Sequence, residues 1–211
     1  MDIVRNYQKE LERILSDITL KAVTPSLLLH SCCAPCSSYC LEYLTDYFNV
    51  TIYYYNPNIS YREEYDRRVQ EQIRLIKALP FKNPISFIEG SYEPEAFYQI
   101  VKGLENEPEG GDRCFACYEL RLREAAKCAK ERGFDYFTTT LSISPHKNAA
   151  KLNEIGEQAG SEYGVSYLNS DFKKRNGYKR SIELSREYEL YRQDYCGCVY
   201  SMANSHKEDR P

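Results

Sequence analysis

The sequence predicts an α/β domain built on a doubly wound, parallel, five-stranded sheet with helices on both faces. Two observations predict it. Five short runs rich in β-branched, aromatic and leucine residues alternate with helical patterns, and turn residues punctuate the boundaries. Size agrees: at 211 residues, 42% of them hydrophobic, the chain suits one domain with a sizeable core.

Residues 1–24 read as an amphipathic N-terminal helix, with Ile3, Val4, Tyr7, Leu11, Ile14, Leu15 and Ile18 at helical spacing. The α/β domain spans 25–200, and 201–211 reads as a flexible polar tail. Ser26–Ser31 is the first strand, followed by a helix from Ser37 or Ser38 to Leu44. Val50–Tyr55 is the second strand, closed by Asn56-Pro57-Asn58. Ser60 and Glu63 form a capping-box pattern that opens a helix to Leu79. Ile85–Ile88 is the third strand, and Pro94 suits the first turn of a short helix to Lys102. Asp112 is the expected N-cap of a helix through Arg132. Phe134–Ile143, a helix over Pro145–Ala159, strand Val165–Leu168 and a last helix over Lys179–Asp194 complete the order.

Composition excludes several classes. Net charge is −3, so no global basic field supports nucleic-acid binding and a local patch would have to supply it. Residues 1–19 are charged throughout, which predicts no signal peptide, and no run approaches the ~18 apolar residues of a membrane span. These features predict a cytoplasmic protein, where thiols stay reduced and clustered cysteines bind metals or do chemistry.

Seven of the nine cysteines fall in three groups: Cys32, Cys33 and Cys36; Cys114 and Cys117; Cys196 and Cys198. Soft thiolates one to three residues apart suit zinc or iron–sulfur chemistry, because neighbouring ligands reach one metal. Cys40 and Cys128 stand apart and read as core. The first group follows strand one, and the second opens a helix whose dipole favours thiolate. The third follows a helix that should end at the opposite edge, so the chain must run back across the sheet if the groups are to meet. No Gly-rich phosphate loop follows strand one. Cys33-Ala-Pro-Cys36 looks like a thioredoxin-type dithiol, but the chain is longer and carries four further clustered cysteines.

Four ordered motifs are together specific: His30-Ser-Cys-Cys-Ala-Pro-Cys36, Arg113-Cys-Phe-Ala-Cys-Tyr-Glu-Leu-Arg121, Thr139-Thr-Leu-Ser-Ile-Ser-Pro-His-Lys-Asn148 and Tyr191-Arg-Gln-Asp-Tyr-Cys-Gly-Cys198. They resemble the cobalamin-independent epoxyqueuosine reductase family over roughly residues 25–200. The resemblance implies a fold akin to the adenine-nucleotide-hydrolase type. It also implies the last step of queuosine synthesis, two-electron reduction of the epoxide on the wobble base of tRNA. The cofactors it implies are a [4Fe–4S] cluster and an adjacent single iron.

On that reading Cys32, Cys33, Cys114 and Cys117 are expected to hold the cluster. Two roles stay open for Cys196 and Cys198: ligands to the second iron together with Cys36, or a redox-active dithiol. His146 and Lys147, after strand four, are expected to face the site and to donate a proton or bind phosphate. The tRNA partner finds a basic loop in Lys173, Lys174, Arg175, Tyr178, Lys179 and Arg180, where an aromatic ring stands among five cations. The reaction also requires an electron donor, which the sequence leaves unidentified. A dithiol oxidoreductase or a non-catalytic zinc protein is the alternative, separable from an iron–sulfur enzyme by colour and iron content. A sulfur-transfer enzyme acting on tRNA would need ATP, for which no phosphate loop is visible.

Overall fold

The computed structural model describes residues 5–202, so nearly all of the expected tail lies outside the described residues. Five parallel strands are β1 (Ser26–His30), β2 (Asn49–Tyr54), β3 (Ser86–Glu89), β4 (Tyr136–Thr139) and β5 (Ser166–Tyr167). They stand in the order β3-β2-β1-β4-β5, the expected doubly wound sheet. The chain winds outward from β1 to β3, then crosses to the other side of β1 as β4. The order therefore reverses between β1 and β4, where open parallel sheets bind ligands beyond their carboxyl ends.

The helices are α1 (Tyr7–Leu20), α2 (Ala34–Leu44), α3 (Arg62–Ala78), α4 (Pro94–Ile100), α5 (Asp112–Glu131), α6 (Ala149–Tyr163) and α7 (Gly177–Glu187). Successive side chains of a strand point to opposite faces. Leu27 and Leu29 accordingly join a core with α1, α2, the end of α3 and α7. Leu28 joins the other, packed with Phe137, Ala125, Ala126 and Ala129 of α5 and Ala159 of α6. All three leucines are fully buried, each contributing about 1.5–3 kcal/mol. Leu11, Leu15 and Ile18 place α1 within this same core as Leu27 and Leu29. Cys40 and Cys128 are buried as expected of core residues. No helix among the described residues is long and apolar enough to cross a membrane.

Several boundaries differ from expectation, each for a local reason. The helix after β1 begins at Ala34 rather than Ser37, because extended Cys33 is its N-cap and Pro35 suits the first turn. The Ser60 capping box does not form. Tyr61 is the N-cap of α3, and Ser60 Oγ instead accepts from the Val199 backbone N–H and bonds the Tyr98 hydroxyl. Gly111, not Asp112, is the N-cap of α5. The fourth strand stops at Thr139, whose hydroxyl accepts from the Leu141 N–H and starts a 3-10 turn over Thr140–Ile143. The next helix waits for the Asn148 cap, so Pro145 lies outside it. The last helix ends at Glu187, seven residues short of Asp194.

Candidate metal centre

The first cysteine group sits at the sheet reversal because β1 ends one residue before it. Cys32 is tied across the gap to the loop after β4, with its Sγ 3.5 Å from Thr140 Oγ1. Cys33 at the N-cap and Cys36 in the first turn of α2 bring the three sulfurs of Cys32, Cys33 and Cys36 within 4.8 Å of one another. The Cys32 and Cys33 sulfurs are 3.7 Å apart. Ligands ~2.3 Å from a tetrahedral metal stand about 3.8 Å apart, so this spacing suits thiolate coordination. Hydrogen bonds from Cys33 and Cys36 pull the Cys32 thiol well below its ordinary range, aided by the Arg121 charge. The reciprocal effect pushes Cys33 up to about 12 and Cys36 well above its ordinary range. Beneath them, Ser37 Oγ lies within hydrogen-bond reach, 2.9 Å, of both the Cys33 carbonyl oxygen and Gln72 Oε1, fixing this turn from below.

The second group repeats the arrangement on α5. Cys114 and Cys117 are three residues apart in its first two turns, hence on one face. Cys114 Sγ accepts from the Gly110 N–H at 3.3 Å, and burial raises its thiol. Cys117 is buried and pushed up to about 11. Buried Arg113 holds the preceding loop through the carbonyls of Leu104, Glu105 and Glu107.

The third group arrives by the route the sequence required. After α7 ends, the chain returns along α3 from its carboxyl end towards its amino end. Arg74 donates to the Tyr188 and Glu189 carbonyls, Glu71 accepts from the Tyr191 N–H, and Arg67 stacks on the Tyr191 ring. Arg68, only 2% exposed and paired with Glu64, donates to the Cys196 carbonyl at 3.1 Å. The Ser60 N–H then closes on the Gly197 carbonyl. Gly197 has φ of +121°, and a Cβ there would meet Ile59 at 3.0 Å and Arg68 at 3.2 Å, so the residue between these cysteines has to be glycine. Cys198 joins Cys117, Phe97 and Val101 in one buried cluster, and burial pushes it up to about 12.

Two adjoining cavities result. The larger, about 380 Å³, is lined by Cys32, Cys33, Cys36 and Cys196, with His146, Tyr178, Arg192 and Asp194 towards its mouth. The smaller, about 20 Å³, lies among Cys114, Cys117, Cys196 and Cys198. Cys196 and Lys147 line both. All seven cysteines thus gather at the carboxyl edge. Within that gathering, Cys36 packs with Cys32 and Cys33, whereas Cys114 and Cys117 lie outside that tight trio. Cys32 and Cys114 nevertheless pack against the same apolar cluster of Tyr118, Leu122, Leu141, Leu152 and Ile155.

The other expected residues divide. His146 is exposed and reaches the cavity mouth, as does Tyr178. Lys147 turns inward: its Nζ stands 3.5 Å from Cys196 Sγ, not free for an RNA backbone. In the basic loop, Lys173, Arg175 and Arg180 pair with Asp171, Glu12 and Glu42. Lys174 and Lys179 are exposed and, among the described residues, carry no ion pair. Sequence reasoning missed Arg121, 1% exposed beneath the cysteines, although its place one turn after Cys117 on α5 was the available signal. His30 is fully buried, and burial with the Arg121 charge lowers its imidazole to about 3. Asn56 is buried and donates to the Ser31 carbonyl at 2.8 Å, while Asn58 lines the smaller cavity.

Comparison with known proteins follows this geometry. The family model described as epoxyqueuosine reductase QueH matches residues 27–204. The protein of that name from Streptococcus pyogenes is 46% identical over 93% of this chain and 78% of its own length. That of Staphylococcus epidermidis is 48% identical over 93% and 84%, and that of Thermotoga maritima 36% identical over 84% and 90%. Among solved structures, the NMN synthetase of Francisella tularensis covers 97% of this chain and 86% of its own, at a TM-score of 0.44 and 13% identity. With a family match from just inside β1 to beyond Cys198, and relatives of this identity over most of both chains, the chain belongs to the epoxyqueuosine reductase QueH family.

Proposed function

We propose that this chain reduces epoxyqueuosine to queuosine at the wobble position of tRNA, using a cysteine-bound iron–sulfur centre and no cobalamin. The observation that carries the reading is the gathering of all seven clustered cysteines around two adjoining cavities at the sheet reversal, in a member of this family.

The residues fit a metal–thiolate centre. The donors are all soft sulfur. The Tyr118 hydroxyl and Asn58 Oδ1 are buried at the smaller cavity and, among the described residues, have no hydrogen-bond partner, as groups that face a bound ligand would be. Cys32, Cys33, Cys114 and Cys117 would hold a [4Fe–4S] cluster, presented from the entry to α2 and the amino end of α5. Cys36 and Cys196 share the larger cavity and, with Cys198, would hold an adjacent single iron or, for the Cys196–Cys198 pair, act as a dithiol. When bound, such a centre supplies single electrons at low potential.

The rest falls to the chain. Removing the epoxide oxygen as water takes two electrons and two protons, and the electrons come from a donor outside this protein. The larger cavity has the size of a small-ligand pocket, enough for one nucleotide base unstacked from the anticodon loop. Tyr178 at its mouth offers a ring for stacking, and exposed His146 is placed to deliver a proton from solvent. Lys174 and Lys179, on the neighbouring loop, are free to meet phosphates. A tRNA substrate implies work in the cytoplasm.

The test is genetic. In a strain lacking its own epoxyqueuosine reductase, expression of this chain should replace epoxyqueuosine by queuosine in digested tRNA. Persistence of the epoxide despite soluble, iron-loaded protein would sink the proposal.

A further inference from the structure

Two cations, buried Arg121 and half-buried Lys147, lie among the cysteine groups with no carboxylate paired to them among the described residues. Arg121 places Nη2 2.5 Å from Asn56 Oδ1, Nε 3.3 Å from His30 Nε2 and Nη1 4.0 Å from Cys117 Sγ. Lys147 Nζ has Cys196 Sγ at 3.5 Å and the Tyr118 ring at 5.9 Å. Among the described residues neither cation makes an ion pair with an acidic side chain. A buried charge is retained only when something of opposite sign neutralises it. Glu109 lines both cavities and Asp194 the larger one, but the potential anions in contact with the two cations are sulfurs: Cys117 Sγ at 4.0 Å from Arg121 and Cys196 Sγ at 3.5 Å from Lys147.

We infer that Arg121 and Lys147 are positioning residues that act as built-in counter-charges to the metal–thiolate centre and set its reduction potential. The inference rests on the metal reading above. A [4Fe–4S] core in its oxidised form held by four thiolates is dianionic, and two fixed cations match that charge. Reduction adds a further negative charge, which nearby cations favour, so they hold the potential up. Arg121 acts from below, through Cys32 and Cys117. Lys147 acts at the junction of the two cavities, beside Cys196.

The test is an anaerobic redox titration of the iron-loaded protein, followed by its absorption and electron paramagnetic resonance signals. Arg121→Met and Lys147→Met should each lower the midpoint potential. The expected shift is at least tenfold in the reduced-to-oxidised ratio at fixed potential, ~59 mV for a one-electron couple. Arg121→Lys and Lys147→Arg, which keep the charge, should stay near the wild-type potential. A purely packing role would be disturbed by the conservative and the neutral variants alike. Wild-type potentials in both Met variants, at full iron and sulfide content, would overturn the inference. If Arg121→Met fails to load iron, Lys147→Met decides alone. A wild-type protein that binds no iron would instead overturn the metal reading itself.

Discussion

Cys33 and Cys36 on α2, and Cys114 and Cys117 on α5, owe their place to a helix start. An N-cap or first-turn residue points its side chain back towards the carboxyl edge of the sheet, and a spacing of three returns the next sulfur to the same face. Replacing Cys32, Cys33, Cys114 or Cys117 with Ala should therefore strip iron and brown colour, read by metal and acid-labile sulfide analysis. Cys196→Ala and Cys198→Ala should retain most of the cluster signal yet abolish turnover. Full iron and sulfide in all four of the first variants would contradict the ligand set, and wild-type turnover in both of the second would leave those cysteines structural. At this scale the sequence is readable: residue type and spacing alone single out all seven sulfurs. They do not give the partners, because Cys36 meets Cys32 and Cys33 only through the turn that begins α2 three residues early.

The segment between α7 and Cys198 is the element on which the site depends. It carries no regular secondary structure over most of its length, so periodicity does not reveal it, and the helical pattern in the sequence runs on through it to Asp194. Its conformation is set from outside, by a ladder of α3 side chains at Arg74, Glu71, Arg68 and Glu64. Only in the fold does that ladder exist. The strands are more legible: four of the five lie within one residue of where the sequence puts them, and the fourth is cut short because a Thr139 side-chain cap ends it early. Gly197→Ala should test the segment. Forcing an L-residue into that backbone costs about 1–2 kcal/mol, before any clash with Arg68. A chain of this size should then drop by roughly 2–8 °C in Tm. Turnover should fall far more than stability at 25 °C, since Cys196 and Cys198 move with the turn. A variant that matches wild type in both would show that the turn tolerates the side chain.

For the whole molecule the question is how a net-acidic chain meets an anionic RNA. The sequence points to one basic loop, and its aromatic residue does reach the cavity mouth. The cations are another matter, since three of the five are neutralised by acidic side chains, two of these far away in sequence: Glu12 on α1 and Glu42 on α2. No local reading could find those pairings. The prediction narrows accordingly. Replacing Lys174 and Lys179 with Ser should weaken tRNA binding and reduce its salt slope by about 0.7 for each single-strand phosphate that the protein no longer neutralises. The iron content should not change. Tyr178→Ala should cost ~1–3 kcal/mol of binding if the ring stacks on a base. An unchanged affinity and slope would place the RNA on another face of the protein.

One measurement addresses the central claim most directly. Anaerobically purified, iron-loaded protein is mixed with a chemical reductant and tRNA carrying epoxyqueuosine, and the nucleosides are then quantified by mass spectrometry. The account predicts conversion of epoxyqueuosine to queuosine without added cobalamin, in proportion to bound iron and abolished in Cys32→Ala. Conversion by the metal-free chain, or none by the fully loaded one, would contradict it.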